Sequence, residues 1–456
     1  MSVLGTPGRP LRVAIVGSGP SGFYTAEALL KQNPDIKVDM FDKLPAPFGL
    51  VRYGVAPDHL KIKNVTKVFE KTAGNPKFSF FGNVTVGKNI SVVELNKFYD
   101  AVVFAYGAES DRHLGIKGED LSGSYTATEF VAWYNGHPDF QDRHFDLSKE
   151  VAIIVGNGNV AMDVARILCK TPEELKNTDI TQNALDALAK SRIKEVHLYG
   201  RRGPVQAAFT APEIREMGEL ADCYPVIDPQ DLQLNGSSQK ELEDPANAGR
   251  KKNYEIMQGF LSIDPHGRKR KFVMHFGRSP AEIIGKGRVE RVKFEINKLE
   301  GEPNKQKVKG VDKFEEIDCG IFFRSVGYTG IPIKGLPFSA QTGVVPNHSG
   351  RVMDSERIFI GWYVAGWIKR GAIGVIGTNK PDAEETVKSL LEDIGRLKPC
   401  EIPSTGEMVK FLKGREVKIV TFEDWKKIDA AEIQRGAKSG KPREKFPRIT
   451  SMLSAI

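Results

Sequence analysis

The sequence predicts an α/β protein of two doubly wound parallel-sheet domains, the second inserted into a discontinuous first. Three observations carry that prediction. A strand, a glycine turn and a helix follow one another in LRVAIVGSGPSGFYTAEALL at residues 11–30, and again in VAIIVGNGNVAMDVARIL at 151–168. Both strands are apolar throughout instead of alternating with polar residues, which suits a parallel sheet buried on both faces. Two more apolar strands run into glycine turns, YDAVVFAYGAESDR at 99–112 and CGIFFRSVGYTGIP at 319–332, where the chain can leave the first domain and return to it.

In the first motif the apolar strand 13–16 leads into Gly17-x-Gly19-x-x-Gly22. The first glycine makes the tight turn, the second lets the backbone approach a pyrophosphate, and the third lets the helix pack on the strand. The helix N-terminus then turns its free amides and positive dipole end toward the phosphates. A second strand, 38–41, ends in Asp42, 25 residues past Gly17, where a carboxylate meets ribose hydroxyls. The segment reads as a dinucleotide site.

The second motif has the strand 151–155 and Gly156-x-Gly158-x-x-Ala161, with alanine still small enough for the third place. Two such cradles hold two dinucleotides, or one dinucleotide and a related nucleotide, an arrangement suited to electron transfer between cofactors. The next apolar strand, 195–199, ends not in an acid but in Gly200-Arg201-Arg202. A guanidinium matches a 2′-phosphate where an acid would bind a bare ribose, so NADP is expected here and not NAD. The gap from Gly156 to Arg201 is 45 residues, about twice the usual one. The segment 171–190 accounts for it: it opens with a capping box, TPEE, and continues with helical periodicity. Two Rossmann-like dinucleotide-binding domains result, one of residues 1–108 and 325–456 and one of 109–324.

Composition sets further bounds. The 456 residues are 40% hydrophobic and 27% charged, ordinary for a globular protein. No apolar run approaches the roughly 18 residues that span a bilayer. The first eleven residues show neither an export nor an organelle signal, so a cytoplasmic location is expected. Cys169, Cys223, Cys319 and Cys400 form no CxxC pair, which argues against a local redox dithiol and a zinc knuckle, and no metal site is expected. The net charge of +8, with basic runs HGRKRK at 266–271 and GKGRVER at 285–291, reads as a solvated face or as a field that steers an acidic protein. Nucleic acid is the weaker partner, because no nucleic-acid-binding signature accompanies the charge.

Several blocks together carry a resemblance: VGSGPSGFYTAEALLK, PFGLVRYGVAPDH at 47–59, GNGNVAMDVAR, GRRGPVQAAFT, GWIKRGAIGVIGTNK at 366–380, FEDWKKID and GKPREKF. The chain resembles the adrenodoxin reductase family, with its bacterial ferredoxin NADP reductases. The resemblance implies FAD as the first nucleotide, NADP as the second, and an iron-sulfur protein of the ferredoxin type as electron acceptor. Matched by motif, it implies FAD contacts at Gly17, Gly19, Ser21, Gly22, Asp42, Leu50, Val86, Trp367, Gly374, Val375 and Ile376. It implies NADPH contacts at Arg112, Asn157, Gly158, Asn159, Val160, Arg201, Arg202 and Glu213, with Gly374 near the nicotinamide. Asp42 departs from the glutamate common at its place. His59 and Glu216 match the histidine and carboxylate that family members hold near the flavin, and would handle the proton accompanying its reduction. Two alternatives stay open at this point: an NADPH diaphorase or oxidase passing electrons to quinone or oxygen, and a nonenzymatic redox-sensing nucleotide-binding protein. The polar stretch 401–456 is expected to pack on the body of the protein.

Overall fold

Every side chain of the strand Leu11–Val16 is buried, and a strand sends successive side chains to opposite faces. Val13 and Ile15 pack with Phe23, Ala26 and Leu29 of the helix Pro20–Leu30, while Ala14 and Val16 join Val102, Phe104 and Val364 on the other face. Both faces are therefore core, which is why the strand shows no polar alternation. It is the middle of five parallel strands in a seven-stranded sheet, ordered 347–348, 351–354, 357–364, 101–104, 11–16, 36–41 and 78–81. The first two strands in that order fold back antiparallel.

The computed structural model describes residues 3–456 and divides into two units. One comprises residues up to Ser110, Asn135–Pro138 and Gly327–Ile456; the other comprises Asp111–Tyr134 and Asp139–Val326. The brief return at 135–138 has a local cause. Asn135 is fully buried and its Oδ1 lies 3.4 Å from both Lys63 Nζ and Lys445 Nζ. The ring of His137 meets that of Tyr53 edge-on at 4.9 Å. Trp425, Ile428 and Met452 belong to the same core as Val13, so the C-terminal stretch packs on the first unit as expected.

The second unit holds a six-stranded parallel sheet ordered 124–126, 321–324, 151–155, 195–200, 270–276 and 223–227. One face is covered by helices: Ala152 and Ile154 pack with Ala161 and Ala165 of the helix Asn159–Cys169. The other face, with Ile153, Val155 and Tyr199, packs on Val292 and Phe294. These last two belong to a three-stranded antiparallel sheet of Arg278–Ile284, Arg291–Glu300 and Lys307–Asp318, which the sequence reading did not foresee. The segment 171–190 forms Pro172–Leu175, with the capping box of Thr171 and Glu174, and then Gln182–Ala189. It lengthens the crossover without displacing the next strand, which pairs in register with Val151–Val155. Among the described residues no helix is long and apolar enough to cross a membrane.

Candidate functional site

The two glycine turns share one construction. Gly17 and Gly156 have φ of 109° and 127°, where a side chain is strained. A Cβ there would stand 2.5 Å from the Ala105 carbonyl oxygen and 2.1 Å from that of Ser325. A Cβ on Gly22 would reach 2.1 Å from the Gly17 carbonyl oxygen, so the helix sits as close to the turn as the third glycine allows. The second glycines behave differently: a Cβ on Gly19 or Gly158 meets nothing within 4 Å. Packing of the protein itself does not require glycine there, and the open space lies at the start of an 11-residue helix in each case. Neither helix has a side-chain acceptor on its first amides. Uncapped amides beside open space form an anion cradle, and the chemistry of both turns fits a dinucleotide pyrophosphate.

Around the first cradle, Asp42 accepts from Ser18 N at 3.0 Å, Ser18 Oγ at 2.5 Å and Leu44 N at 2.9 Å. It is half-exposed by area yet closely surrounded, and burial pushes its carboxyl up against the opposing pull of these donors. A carboxylate offers about four acceptor sites, which leaves room for one ribose hydroxyl. Ser21 donates to Asn379 Oδ1 at 2.9 Å, and a Cβ on Gly366 would come within 1.9 Å of Ser21 Oγ. The 366–379 segment is thereby joined to the first turn. Next to it, Trp367 Nε1 is buried without an acceptor among the described residues, as is Tyr106 OH, so two buried donors fit a polar group of a bound cofactor. Gly374 has φ of 89°, Val375 is exposed and Ile376 half-buried, while Leu50 lies at the surface and Val86 is buried.

At the second cradle, Asn157 lies across the end of the strand Glu195–Gly200: a Cβ on Gly200 would fall 1.7 Å from its Nδ2. Its Oδ1 is buried without a donor among the described residues. The Asn157 carbonyl accepts from Ala208 N, and Asn159 Oδ1 from Thr210 N, both at 2.8 Å, while Val160 packs on the helical side of the core. Arg201 and Arg202 are exposed, and among the described residues neither guanidinium makes an ion pair or a hydrogen bond. Arg112 is exposed in the same way.

His59 and Glu216, the pair expected to handle a proton, belong one to each unit. His59 is half-buried ahead of the short helix Leu60–Lys63 in the first unit, and Glu216 ends the helix Ala211–Glu216 in the second. The residue that organises Glu216 escaped sequence reasoning. Arg166, with no exposed surface, reaches Asp163 at 2.6 Å, Glu213 at 3.1 Å and Glu216 at 3.4 Å. Glu213 is thus tied to Arg166 and buried. The only signal available was the i, i+3 spacing of Asp163 and Arg166 on one helix face. A second hidden pair lies in the first unit: Arg52 meets the fully buried Glu432 at 2.6 Å. Burial alone would lower the Arg52 guanidinium, but Glu432 reverses that and holds it above its ordinary range. All four cysteines are buried and free. Burial, with Asp318 adding to it, pushes the Cys319 thiol up to about 12, so it is no nucleophile.

Two turns of one design, each with an uncapped helix and an open second glycine, define an oxidoreductase scaffold with two dinucleotide-binding domains. The family model for pyridine nucleotide-disulphide oxidoreductases matches residues 11–203. NADPH-ferredoxin reductase FprA of Mycobacterium tuberculosis is 46% identical over 459 residues, covering 98% of this chain and 99% of that protein. The mitochondrial NADPH:adrenodoxin oxidoreductase of Arabidopsis thaliana is 45% identical, covering 98% and 95%. The solved structure of Mycobacterium tuberculosis FprA in complex with NADPH superposes with a TM-score of 0.92 at 45% identity, covering 98% and 99%. The chain belongs to the family of NADPH-ferredoxin reductases and NADPH:adrenodoxin oxidoreductases.

Proposed function

We propose that the chain oxidises NADPH on a bound FAD and delivers electrons singly to a ferredoxin-type iron-sulfur protein. The first unit would hold FAD, through Gly17, Gly19, Ser21, Gly22, Asp42, Leu50, Val86, Trp367, Gly374, Val375 and Ile376. The second would hold NADPH, through Arg112, Asn157, Gly158, Asn159, Val160, Arg201, Arg202 and Glu213. When bound, the flavin supplies the conversion of a two-electron donor into a one-electron donor. The residues of the chain bind and orient around that chemistry. The amides at the start of Pro20–Leu30 and Asn159–Cys169 would hold the two pyrophosphates. Tyr106 OH and Trp367 Nε1 offer donors that the protein leaves unused. His59 would take or release the proton that accompanies flavin reduction, and Glu216, oriented by Arg166, would assist it.

The observation that carries this reading is the end of the strand Glu195–Gly200, where two exposed guanidiniums stand in place of an acid and, among the described residues, without a carboxylate partner. A spectrum of the purified protein before and after anaerobic addition of NADPH, repeated with NADH, tests it. Flavin absorption that bleaches at far lower NADPH than NADH is expected; a colourless protein that takes up no FAD overturns the reading. Cytochrome c reduction that depends on added ferredoxin separates this activity from direct transfer to quinone or oxygen. The partner we expect is acidic, because the net charge of +8 would steer it, and its reduction should slow as salt rises. Nucleic acid has no part in this scheme. A cytoplasmic location is part of this proposal. Cell fractionation checks it.

A further inference from the structure

The arginine loop is held by more than its own strand. Asn297 Nδ2 donates to the Arg201 carbonyl at 3.0 Å, and Gly277 N donates to the Arg202 carbonyl at 2.9 Å. Both donors come from the three-stranded sheet or the turn that enters it: Gly277 immediately precedes Arg278–Ile284, and Asn297 lies within Arg291–Glu300. The two contacts brace each other, because Asn297 N donates to the Gly277 carbonyl at 2.7 Å. The Asn297 amide also donates to Ser279 Oγ at 2.8 Å, so both of its side-chain hydrogens are committed.

Asn297 sits at a break in the sheet. Pairing with Lys307–Asp318 slips between Glu295 and Asn297, where residues 311–313 face Ile296 alone and Asp312 takes φ of 53°. Irregularities of this kind re-aim the side chains beside them. Further along the same loop, Gln206 Nε2 donates to Ser238 Oγ and Glu241 Oε2, each at 3.1 Å. Glu241 is 1% exposed and accepts from Gln306 Nε2 and Asn304 N, both at 2.8 Å, in the turn that joins the last two strands of the sheet. The loop from 201 to 206 is therefore anchored at both ends to the same small sheet.

A long side chain finds an anion only as well as its backbone is aimed, and a tethered loop loses less conformational freedom on binding. We propose that Asn297 is a positioning residue for the choice of NADPH over NADH: by capturing the Arg201 carbonyl it fixes the backbone from which Arg201 and Arg202 reach the 2′-phosphate. The inference rests on the assignment of that loop to the 2′-phosphate under the proposed function. It makes the three-stranded sheet a platform for nucleotide selection as well as a cover for the parallel sheet.

The test uses the full FAD-loaded chain with Asn297→Ala and the near-isosteric Asn297→Leu, beside the double variant Arg201→Ala/Arg202→Ala. Binding of adenosine 2′,5′-bisphosphate is measured by titration calorimetry, and KM and kcat are measured for NADPH and NADH. Loss of the hydrogen bond to the Arg201 carbonyl should weaken the bisphosphate and raise KM for NADPH about fivefold, with kcat and KM for NADH changed by less than about twofold. Equal loss for both nucleotides reduces Asn297 to a structural part and overturns the proposal, as does unchanged bisphosphate affinity. If the double-arginine variant keeps its preference for NADPH, the phosphate assignment itself fails. If that variant loses the preference while the Asn297 variants keep it, only the tether fails. Should the alanine variant not fold, the leucine variant carries the same readouts.

Discussion

Replacing Arg52 with methionine removes the cation from a carboxylate that has little else to balance it. Glu432 has no exposed surface; its Oε1 receives Arg52 Nη2 at 2.6 Å and Phe446 N at 2.8 Å, and the other cation in reach, Arg443, stands 3.6 Å from Oε2. The Arg52 guanidinium lies 4.9 Å from the centre of the Trp425 ring, a contact that a methionine of similar length retains, so the change removes charge pairing more than volume. Breaking one half of a buried pair costs about 3–5 kcal/mol, and partial compensation by Arg443 places this case near about 3 kcal/mol. In a unit of this size each kcal/mol lowers Tm by about 2–4 °C, so calorimetry near pH 7.5 should show a fall of roughly 6–12 °C in the transition of the first unit. The helix Leu50–Tyr53 also carries Leu50, one of the proposed FAD contacts, so flavin should dissociate earlier on heating. A fall of less than about 2 °C at pH 7.5 would refute the reasoning.

Three further outcomes are expected. Gly158→Ala should fold with the wild-type Tm, since its Cβ meets nothing within 4 Å, but should lose NADPH affinity in calorimetric titration because the methyl occupies the pyrophosphate space. His59→Ala should keep FAD yet alter the rate or pH dependence of flavin reduction in stopped flow; identical traces across pH remove the proposed role. Burial, then the neighbouring His197 and Arg278, lowers His275 to about 3. That folded value lies below the unfolded one of about 6.5, so the unfolded chain binds the proton first and stability drains away as the pH falls from about 6.5 toward about 3. His275→Leu should flatten that acid loss in thermal scans of the second unit.

Local patterns marked the cradles because their chemistry is local. Gly17 and Gly156 announce a turn, Gly22 and Ala161 a close helix, and the unbroken apolar runs a sheet covered twice. Thr171 and Glu174 likewise announced their helix start, and the structure has the capping box. What escaped depends on partners far along the chain. Arg166 reads as an ordinary helix-surface residue until Glu213, 47 positions later, is folded beside it. Asn297 acts on a carbonyl 96 positions away. The three-stranded sheet was hidden because its strands mix charge and apolar residues, as in KVKGVDKFEEID, where alternation is weak and a register break interrupts it.

The strand Lys307–Asp318 also closes one side of that small sheet, and its outer row of peptide groups has no neighbouring strand within the sheet. Such a border invites a strand from another molecule to add on. Here Lys307, Lys309, Lys313, Glu315, Glu316 and Asp318 line it, and the kink at Asp312 interrupts its straight run. A foreign strand would have to desolvate these charges and follow the bend. The platform that steadies the arginine loop therefore carries its own protection against aggregation, and apolar replacements along this border should shorten the life of concentrated protein before they alter its fold.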